Sequence, residues 1–402
     1  MNARDLSLLL VLAMGAIACR DASMPSFEPL TERRLPEPTL QDDDWIVVFD
    51  RHVRDPGGEG IAIVSAYGGA VGYVYTALLN GFSGRLSPTA VAALRANPRV
   101  RYVEKDHAVS ADTDQTFSFF DKSMWGLERI DQRTAETNCG SVSWCYAWFH
   151  NGAGVYAYVV DTGLDSNHVD FTGRAKNVFD AFGGSGQDKN GHGTHVAGTI
   201  GSRTWGVAKG AYLRGVRVLD SAGHGTDATV IAGLEWIAIH REGPAVVNMS
   251  LGGLFSQALN DAVDSLIQTG VFVAVAAGNN NVDACGQSPA SVLAAVTVAA
   301  AELAFSNAIR KADYSNWGPC VDLYAPGTNV RSTRLGGGSF ANSGTSMAAP
   351  HVTGTAAIYK AAFGDASQSV IAAWISNTAT AGLVGGNPAG TPNKFIYKAP
   401  DL

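Results

Sequence analysis

One serine lies where attack on a carbonyl would be favoured, at the start of a predicted buried helix. Ser346 stands in the segment Gly344-Thr345-Ser346-Met347-Ala348, which opens a run of small residues that extends to Ala362. Such a position lies beside unpaired backbone N–H groups and the positive end of the helix dipole. These groups favour a reaction that creates an oxyanion. On this motif alone, an ordinary serine in a helix cap is the simpler interpretation.

A proline follows closely and affects the same helix. Pro350 has no backbone N–H, so the carbonyl of Ser346 lacks the donor four residues later that a regular helix would provide. We therefore expect the first turn of this helix to be distorted.

Three further motifs place polar side chains at the ends of predicted strands or at the start of a helix. Asp161 follows one apolar strand, Asn279 follows another, and His192 begins a helix between two glycines. An aspartate after a strand is by itself usually structural. A histidine flanked by glycines is, however, open to a substrate.

Together these residues supply every role that acyl transfer needs. Ser346 would attack, His192 would take and return the proton, and Asp161 would hold the imidazole tautomer. The Asn279 amide and the backbone N–H of Ser346 would bind the oxyanion. A zinc site at His192 and His195 is excluded because the pair lacks the spacing and the glutamate of a zinc peptidase motif.

The elements that must position these residues alternate between apolar strands and helices. Strands without polar alternation, separated by helices, indicate a parallel sheet buried on both faces, with ligands beyond the carboxyl ends of its strands. The predicted strands are Val155–Val160, Tyr212–Val218, Ala245–Met249, Val271–Ala276 and Ala294–Ala299. The predicted helices begin at His192, span Asp227–His240 and Gln257–Thr269, and follow Ser346.

A smaller module precedes this domain in residues 45–111. Its predicted elements are a strand at Trp45–Phe49, a helix ending at Tyr67, paired strands within Val71–Arg85, a helix from Ser87 to Ala96 and a strand at Val100–Glu104. This βαββαβ order predicts an α+β ferredoxin-like fold.

The N-terminal segment predicts export. Residues 1–18 are typical of a signal peptide, with an apolar run too short to span a bilayer comfortably. The sequence Ala16-Ile17-Ala18-Cys19 is also similar to a lipobox, in which Cys19 would be acylated, and both alternatives stay open. Residues 19–44 are rich in proline and charge, which predicts a disordered tether, and 112–402 would form the large domain.

Charge and cysteine content narrow the class of protein. The formal net charge of −7 over 402 residues, without a basic cluster, argues against nucleic-acid binding. Once Cys19 is assigned to the signal region, four cysteines remain: Cys139, Cys145, Cys285 and Cys320. In an exported protein an even number of cysteines predicts disulfides, here two.

The motifs, and the chain order Asp, His, Ser, resemble those of subtilisin-like serine proteases of the proteinase K branch, especially the aqualysin-type bacterial members. The resemblance runs from about Trp125 to Tyr397 and rests on HGTHVAGTIG at 192–201, NMSLGG at 248–253 and GTSMAAPHVTG at 344–354. It implies an α/β subtilisin-like fold, with a mainly parallel central sheet flanked by helices. Residues 45–111 resemble the inhibitory propeptide of this family.

The resemblance also implies a substrate site. Backbone strands at Ser250, Leu251, Gly252 and Gly223 would flank an extended peptide, and Ala276, Ala277 and Gly278 would line an apolar pocket. Pairing through the backbone gives affinity with little demand on the substrate sequence. His168 and His351 match family positions without a catalytic role, and His195 is expected in the core.

Calcium is the expected structural cofactor, and no catalytic cofactor is implied. The family site falls on the carbonyls of Leu293 and Ala295 and the carboxylate of Asp322. A weaker second candidate comprises Glu128, Asp131, Gln132 and Asn138, all of them oxygen donors. The resemblance implies a disulfide between Cys285 and Cys320, and parity then pairs Cys139 with Cys145.

We therefore expect a secreted, monomeric serine endopeptidase with broad, apolar preference, made as a self-processing zymogen. Its partners would be protein substrates and its own propeptide, and the mature enzyme would not be membrane-bound, even if Cys19 anchors the precursor. The segment 107–111 is expected in the substrate groove, with cleavage near Ala111. An inactive binding protein of the same fold, and an esterase or acyltransferase with the same triad, are the alternatives.

Overall fold

The computed structural model describes residues 40–111, 124–133, 146–304, 308–399 and 402. Several predictions lie outside these residues: the signal peptide, most of the tether, the acylation of Cys19, the ligand Asn138 and the pairing of Cys139 with Cys145. In the described part of the chain, no helix has both the length and the apolar character needed to span a membrane.

The N-terminal module has the predicted βαββαβ order. Its elements are β1 (Asp44–Phe49), α1 (Pro56–Tyr67), β2 (Gly69–Tyr75), β3 (Gly81–Leu86), α2 (Pro88–Ala96) and β4 (Val100–Lys105). The strands form an antiparallel sheet in the order β2-β3-β1-β4. Helix α2 starts where the sequence indicates, because the Ser87 hydroxyl caps the N–H of Ala90 and Pro88 occupies the first turn.

Successive side chains of β1 pack into two different apolar cores. Val47 and Phe49 face the helices α1 and α2 and pack with Phe82. Ile46 and Val48 face the opposite way and belong to a core shared with the large domain. A strand exposes successive side chains on opposite faces, so one short apolar strand serves both cores.

The large domain contains the remaining elements except β5 (Ala108–Ala111), which ends the segment 45–111. Its helices are α3 (Trp125–Ile130), α4 (His192–Gly201), α5 (Asp227–His240), α6 (Gln257–Gln268), α7 (Thr345–Phe363) and α8 (Gln368–Thr378). The strands up to the middle of the large domain are β6 (Tyr156–Asp161), β7 (Ala175–Asp180), β8 (Tyr212–Arg217), β9 (His224–Thr226), β10 (Ala245–Met249), β11 (Leu251–Leu254) and β12 (Phe272–Ala276). The later strands are β13 (Gln287–Ser288), β14 (Val296–Leu303), β15 (Ile309–Lys311), β16 (Leu323–Pro326), β17 (Val330–Thr333), β18 (Ser339–Asn342), β19 (Thr380–Ala381) and β20 (Lys394–Phe395).

The central sheet is mainly parallel, as predicted. Its order is β19-β20-β16-β14-β12-β10-β6-β8-β7, and β15 pairs with β14. Only the β14–β15 and β19–β20 pairings in this sheet are antiparallel among the described strands. The apolar run that begins at Ala294 does form a strand, although the strand extends to Leu303.

Helices cover both faces of this sheet. Residues such as Val246 and Phe272 pack toward α4, α7 and α8, whereas their neighbours Val247 and Val273 pack toward α5 and α6. The strands are therefore buried on both sides, which explains their unbroken apolar sequences.

The start of α7 differs from a regular helix end. The helix begins at Thr345, with Gly344 as its cap at φ 150° and ψ 161°, and it continues through Pro350 to Phe363. Ser346 is therefore the second helical residue, with its N–H in the unpaired first turn. The preceding glycines, Gly336 to Gly338, form the turn between β17 and β18 with positive φ at each residue.

Candidate active site

Asp161 and His192 form a buried pair at the carboxyl edge of the sheet. Asp161 ends β6 and is 0% exposed, and His192 begins α4 and is 4% exposed. The His192 Nδ1 atom lies 2.8 and 2.9 Å from the two carboxylate oxygens of Asp161. An ionised carboxylate can only accept, so this contact places the proton on Nδ1 and leaves Nε2 as the basic nitrogen.

Close backbone packing fixes the relative position of this pair. The N–H of Thr162 donates to the Asp161 carboxylate at 2.7 Å, and its hydroxyl accepts from the N–H of Gly193 at 2.9 Å. A side chain at Gly193 would meet the carbonyl oxygen of Gly163 at 2.2 Å. Glycine after the histidine is therefore required for the helix to approach β6 this closely.

Asp188 joins the two segments through a single buried carboxylate. Its Oδ1 accepts from the Thr162 hydroxyl and from the N–H groups of Asn190 and Gly191, at 2.8 to 2.9 Å. Its Oδ2 accepts from the N–H and hydroxyl of Thr194, at 2.9 and 2.6 Å. Sequence reasoning missed this residue, because an aspartate four residues before a histidine has many other uses.

Ser346 completes the arrangement from the first turn of α7. Its hydroxyl is buried and donates to the carbonyl oxygen of Ser250 at 3.1 Å. The hydroxyl must therefore turn away from Ser250 before His192 can accept its proton. Such a resting arrangement does not argue against the assignment, because catalytic hydrogen bonds commonly form only with substrate bound.

Asn279 has one end of its amide fixed and the other end unused. Its Oδ1 accepts from the N–H and the hydroxyl of Thr345, both at 2.9 Å. The Thr345 hydroxyl in turn accepts from the N–H of Gly278 at 3.1 Å. The Asn279 Nδ2 atom is buried and makes no hydrogen bond within the described part of the chain. Thr345 therefore orients the amide so that a buried donor remains for a developing oxyanion.

The residues predicted to bind substrate surround a strand of the chain itself. β5 lies between β9 and β11 and is antiparallel to both, in a second sheet of order β13-β11-β5-β9. Ala111 pairs with Leu251, and Ser110 pairs with Gly252. The N–H of Ala111 also donates to the Gly223 carbonyl at 2.9 Å. The segment occupies the groove as an extended peptide would.

The predicted apolar pocket lies at the end of β12. Ala276 and Ala277 are 2% and 0% exposed, and Gly278 adopts a positive φ of 99° immediately before Asn279. The Asn316 amide donates to the Ala277 carbonyl at 2.8 Å and so fixes this turn. The structure thus places the three residues between the sheet and the proposed oxyanion donor.

The other histidines have structural contacts. His195 is fully buried, its Nε2 lies 3.1 Å from the Val330 carbonyl oxygen, and burial lowers its pKa to about 3. His351 Nδ1 lies 2.8 Å from the Met347 carbonyl oxygen, and burial lowers the pKa of this histidine to about 4. His168 accepts the N–H of Asp170 through Nδ1 at 3.2 Å. These contacts agree with the structural roles expected for all three.

The first calcium candidate offers suitable oxygen donors. Asp322 precedes β16, and its Oδ2 accepts from the N–H of Thr297 at 2.8 Å. Leu293 is exposed, and Ala295 lies just before β14. Carbonyl and carboxylate oxygens are the ligands that Ca²⁺ prefers. Among the described residues, no group of three or more His, Cys, Asp or Glu side chains could hold a metal, so any site here depends on backbone carbonyls.

The second calcium candidate fits a cation poorly. The Arg129 guanidinium donates to the Gln132 carbonyl at 2.9 Å, so a positive group already stands there. Asp131 accepts the N–H of Ala147 at 2.8 Å, and burial raises its pKa to about 6, as burial also does for Asp322. Glu128 is buried, with 8% of its surface exposed. Only the first candidate is therefore kept as a proposal.

A disulfide joins Cys285 to Cys320, with an S–S distance of 2.07 Å and Cα atoms 5.3 Å apart. Cys285 follows the loop that starts at Asn279, and Cys320 precedes β16. The bond therefore ties the loop after the proposed oxyanion donor to the adjoining strand. This pairing agrees with the one implied by the resemblance.

One carboxylate of α5, that of Glu235, binds a turn of the small module. Glu235 accepts hydrogen bonds from four successive N–H groups, those of residues 76 to 79, at 2.7 to 3.2 Å. Leu78 and Leu79 from the same turn belong to the shared apolar core. The sequence did not predict these contacts, because their donors are backbone N–H groups, which every residue except proline has.

Carboxylates of the small module meet the N-terminal ends of two helices. Glu104 accepts from the Ser256 hydroxyl and the Ala258 N–H at 2.8 and 3.0 Å, at the start of α6. Asp106 accepts from the N–H of Ala228 at 3.0 Å, at the start of α5. Anions are favourable at both positions, because the first N–H groups of a helix lack intrahelical partners.

Known proteins share both parts of this structure. A model described as the subtilase family matches residues 152–395, and one described as peptidase inhibitor I9 matches residues 45–112. The extracellular serine proteinase of Thermus sp. (strain Rt41A) is 47% identical over 334 residues, covering 82% of this chain and 78% of that protein. Proteinase R of Parengyodontium album is 38% identical over 382 residues, covering 93% of this chain and 95% of that protein.

A solved structure supports the same relationship. The crystal structure of a cold adapted subtilisin-like serine proteinase is 43% identical, with a TM-score of 0.65. The match covers 69% of this chain and 99% of that chain.

Proposed function

The chain belongs to the subtilase family, and from this premise we propose that it is a serine endopeptidase made with its own inhibitory propeptide. Asp161, His192 and Ser346 form the catalytic triad, and Asn279 is the side-chain donor of the oxyanion hole. The observation that carries the proposal is the placement of β5, an extended strand of the same chain, antiparallel between β9 and β11. An extended peptide substrate can add to the edges of β9 and β11 in the same way.

The geometry supports acylation by the usual sequence of proton transfers. The Ser346 hydroxyl turns from the Ser250 carbonyl to His192 Nε2 and loses its proton as the oxygen attacks the peptide carbonyl. The oxyanion is met by the Asn279 Nδ2 and by the N–H of Ser346. His192 then donates the proton to the leaving amine, while the Asp161 carboxylate stabilises the imidazolium. Water reverses these steps and releases the acid.

Broad specificity with apolar preference follows from the groove. The strand in the groove pairs through its backbone with Gly223, Leu251 and Gly252, and these contacts read no side chain. The three residues proposed to line the pocket, Ala276, Ala277 and Gly278, are small and apolar, so the pocket would favour apolar side chains before the cleaved bond.

The reaction class can be tested on the mature protein. A serine-directed phosphonate should label Ser346 stoichiometrically, and the labelled protein should lose casein hydrolysis. Absence of labelling would favour an inactive binding protein of this fold. Labelling accompanied by ester hydrolysis, but no cleavage of casein, would favour an esterase or acyltransferase.

Self-processing is proposed because the strand in the groove ends at the domain boundary. Residues 45–111 form the propeptide and 112–402 the peptidase, with the cut near Ala111, between Ala108 and Gln115. Ser346→Ala, expressed in a host lacking similar proteases, should accumulate as an uncut precursor. The wild-type chain is the control, and mass spectrometry locates the cut. Efficient cleavage of the variant near Ala111 would show that another protease matures the enzyme.

The chain is proposed to be exported, and cleavage near Ala111 is proposed to separate the peptidase from any lipid on Cys19. Relatives include extracellular proteinases, and residues 1–18 are typical of a signal peptide. If Cys19 is acylated, cleavage near Ala111 leaves the lipid on the propeptide, so the mature monomeric enzyme is released from the membrane. Ser346→Ala would then remain in the membrane fraction, whereas a soluble uncut precursor would exclude the anchor.

Calcium is proposed as a structural cofactor held by the carbonyls of Leu293 and Ala295 and the carboxylate of Asp322. A bound ion would stabilise the folded state by preferential binding. Chelation should therefore lower the melting temperature of the wild-type enzyme, and Asp322→Ala should remove most of this difference. Asp313→Ala, which changes another exposed carboxylate of the peptidase, is the matched control. Identical melting with and without chelator would remove the calcium assignment.

A further inference from the structure

Two serines exchange hydrogen bonds across the active site. The Ser346 hydroxyl donates to the Ser250 carbonyl at 3.1 Å, and the Ser250 hydroxyl donates to the Ser346 carbonyl at 2.8 Å. Both residues are 0% exposed. The two bonds differ in role, because the first must break when the nucleophile reacts and the second involves no reacting atom.

The second bond replaces one that the helix cannot make. In a regular helix the Ser346 carbonyl would accept the N–H of residue 350, but that residue is proline. A buried carbonyl without a donor is costly, and it is free to tilt. The Ser250 hydroxyl supplies the missing donor from outside the helix.

The Ser250 hydroxyl is itself held in one orientation. It accepts from the Asn248 amide at 2.8 Å, so its own proton is directed to the Ser346 carbonyl. The Asn248 Oδ1 accepts from the Thr353 hydroxyl at 2.9 Å, and Thr353 lies two turns beyond Ser346 on α7. Asn248 and Thr353 are also 0% exposed. The chain of donors therefore starts and ends on the nucleophile's own helix.

We propose that Ser250 is a positioning residue for the nucleophile, whose side-chain hydroxyl supplies the hydrogen bond that Pro350 denies to the Ser346 carbonyl. Fixing that carbonyl fixes the peptide plane after Ser346 and so restrains the ψ angle of Ser346, whose α-carbon carries the reacting side chain. This role is separate from the backbone pairing of residues 250–252 with substrate, and it rests on the proposed serine endopeptidase function.

The inference predicts a defect in turnover without a defect in substrate binding. Ser250→Ala keeps the backbone that pairs with substrate, so KM should stay within about twofold. Misplacement of a nucleophile by a fraction of an ångström is expected to lower kcat by about ten- to a hundredfold. The pH profile should keep its position, because the contact between Asp161 and His192 is unchanged. These constants are measured on mature enzyme processed from the full chain.

A second substitution should rescue the first. Pro350→Ala restores a backbone N–H at the position from which a regular helix would donate to the Ser346 carbonyl. Ser250→Ala combined with Pro350→Ala should therefore recover most of the lost kcat. A folded double variant with the same low kcat as Ser250→Ala would overturn the proposal, as would a rise in KM that accounts for the whole loss.

Two controls separate positioning from general destabilisation. Ser332→Ala removes another buried serine hydroxyl, one that donates to the His195 carbonyl at 2.7 Å, and it should leave kcat unchanged. Ser250→Cys keeps the shape but has a weak donor, so its kcat should lie between the wild-type and Ser250→Ala values. If Ser250→Ala does not fold, Ser250→Cys with and without Pro350→Ala carries the same test, and equal turnover in all of these proteins would overturn the proposal.

Measurements on the wild-type enzyme separate failure of the proposed function from failure of the positioning role of Ser250. Failure of the wild-type protein to hydrolyse casein and to react with the phosphonate would reject the proposed function. An active wild-type enzyme, together with an unimpaired Ser250→Ala, would reject the positioning role alone.

Discussion

The catalytic centre and the contact surface between propeptide and peptidase are both buried and polar, but they are built differently. At the proposed catalytic centre, neutral hydroxyl and amide groups hold Ser346 and Asn279, whereas the carboxylates of Asp161 and Asp188 hold the segment that carries His192. At the propeptide surface, carboxylates make the principal polar contacts. The participants are Glu104 and Asp106 on the propeptide and Asp227 and Glu235 on the peptidase.

The use of neutral groups around Ser346 and Asn279, and of carboxylates at the propeptide surface, corresponds to how long the contacts in each region must last. The neutral hydroxyl and amide groups that hold Ser346 and Asn279 keep their bonds at any pH in which the protein is folded, so the positions of these two residues do not depend on pH. A buried carboxylate binds its hydrogen-bond donors strongly while they are in place. Once a donor is lost, the buried charge is unpaired, and exposure to water becomes more favourable than burial. A surface built on such groups suits a segment that must bind during maturation and leave afterwards.

Asn279→Ala removes a neutral donor from the proposed catalytic centre and should give the largest fall in kcat. Loss of the Nδ2 donor is expected to lower kcat by about 100- to 1,000-fold, the loss typical of removing one oxyanion donor from a serine protease. KM and the melting temperature should change little, because within the described residues the Asn279 side chain hydrogen-bonds only to Thr345. An unchanged kcat would remove Asn279 from the oxyanion hole.

Glu235→Gln tests the propeptide surface and should leave catalysis intact. The four N–H groups of residues 76 to 79 would lose a charged acceptor, so the processed propeptide should dissociate about ten- to a hundredfold faster. Dissociation is measured as the return of activity after dilution of the processed complex. Glu242→Gln, which changes an exposed carboxylate bonded to Arg214, is the matched control. A slower return of activity, or a lower kcat, would contradict the division between the two regions.

Raising the pH should weaken the propeptide contact by a smaller factor. Burial, with the negative charge of Asp227 nearby, raises the pKa of Asp106 to about 7 in the bound state. The Asp227 carboxylate, 3.2 Å from His107 Nδ1, likewise raises the pKa of that histidine, and burial raises the pKa of Asp227. Asp106 and His107, which belong to the propeptide, therefore take up protons on binding, so affinity is greatest at low pH and falls as the pH rises through their bound pKa values.

For Asp106 alone the fall amounts to about tenfold between pH 6 and pH 8. The inhibition constant of the propeptide, measured on mature enzyme across this range, checks the slope. Asp106→Asn removes the titrating group but keeps an oxygen for the Ala228 N–H, so it should flatten the profile. Tighter inhibition at pH 8 than at pH 6 would mean that the sign is wrong.

The sequence predicted the parts of the fold that have a strong local pattern. Helix α5 and strand β10 were predicted with their observed limits, because both are apolar and bounded by clear ends. Strand β7, at Ala175–Asp180, was missed. It lies at the edge of the sheet, is mostly half-buried and carries Lys176, Asn177 and Asp180, so it has no apolar run.

The candidate site shows the same division. Asp161, His192, Ser346 and Asn279 were predicted as site residues because each has its own short motif, and the structure brings them to one edge of the sheet. The hydroxyls of Thr345 and Ser250 were not assigned these contacts, because the bond from Thr345 to Asn279 spans 66 residues and that from Ser250 to Ser346 spans 96. Hydrogen bonds over such separations depend on packing, and they leave no periodic signal in the sequence.

The groove that β5 fills has a consequence for the enzyme after β5 has left. β9 and β11 then each present an unpaired strand edge, and such edges pair with any extended chain that reaches them. The polypeptide present at the highest concentration in a pure sample is a second copy of the enzyme. Loss of activity on storage should therefore accelerate with concentration as a second-order process, and dilute stocks should outlast concentrated ones.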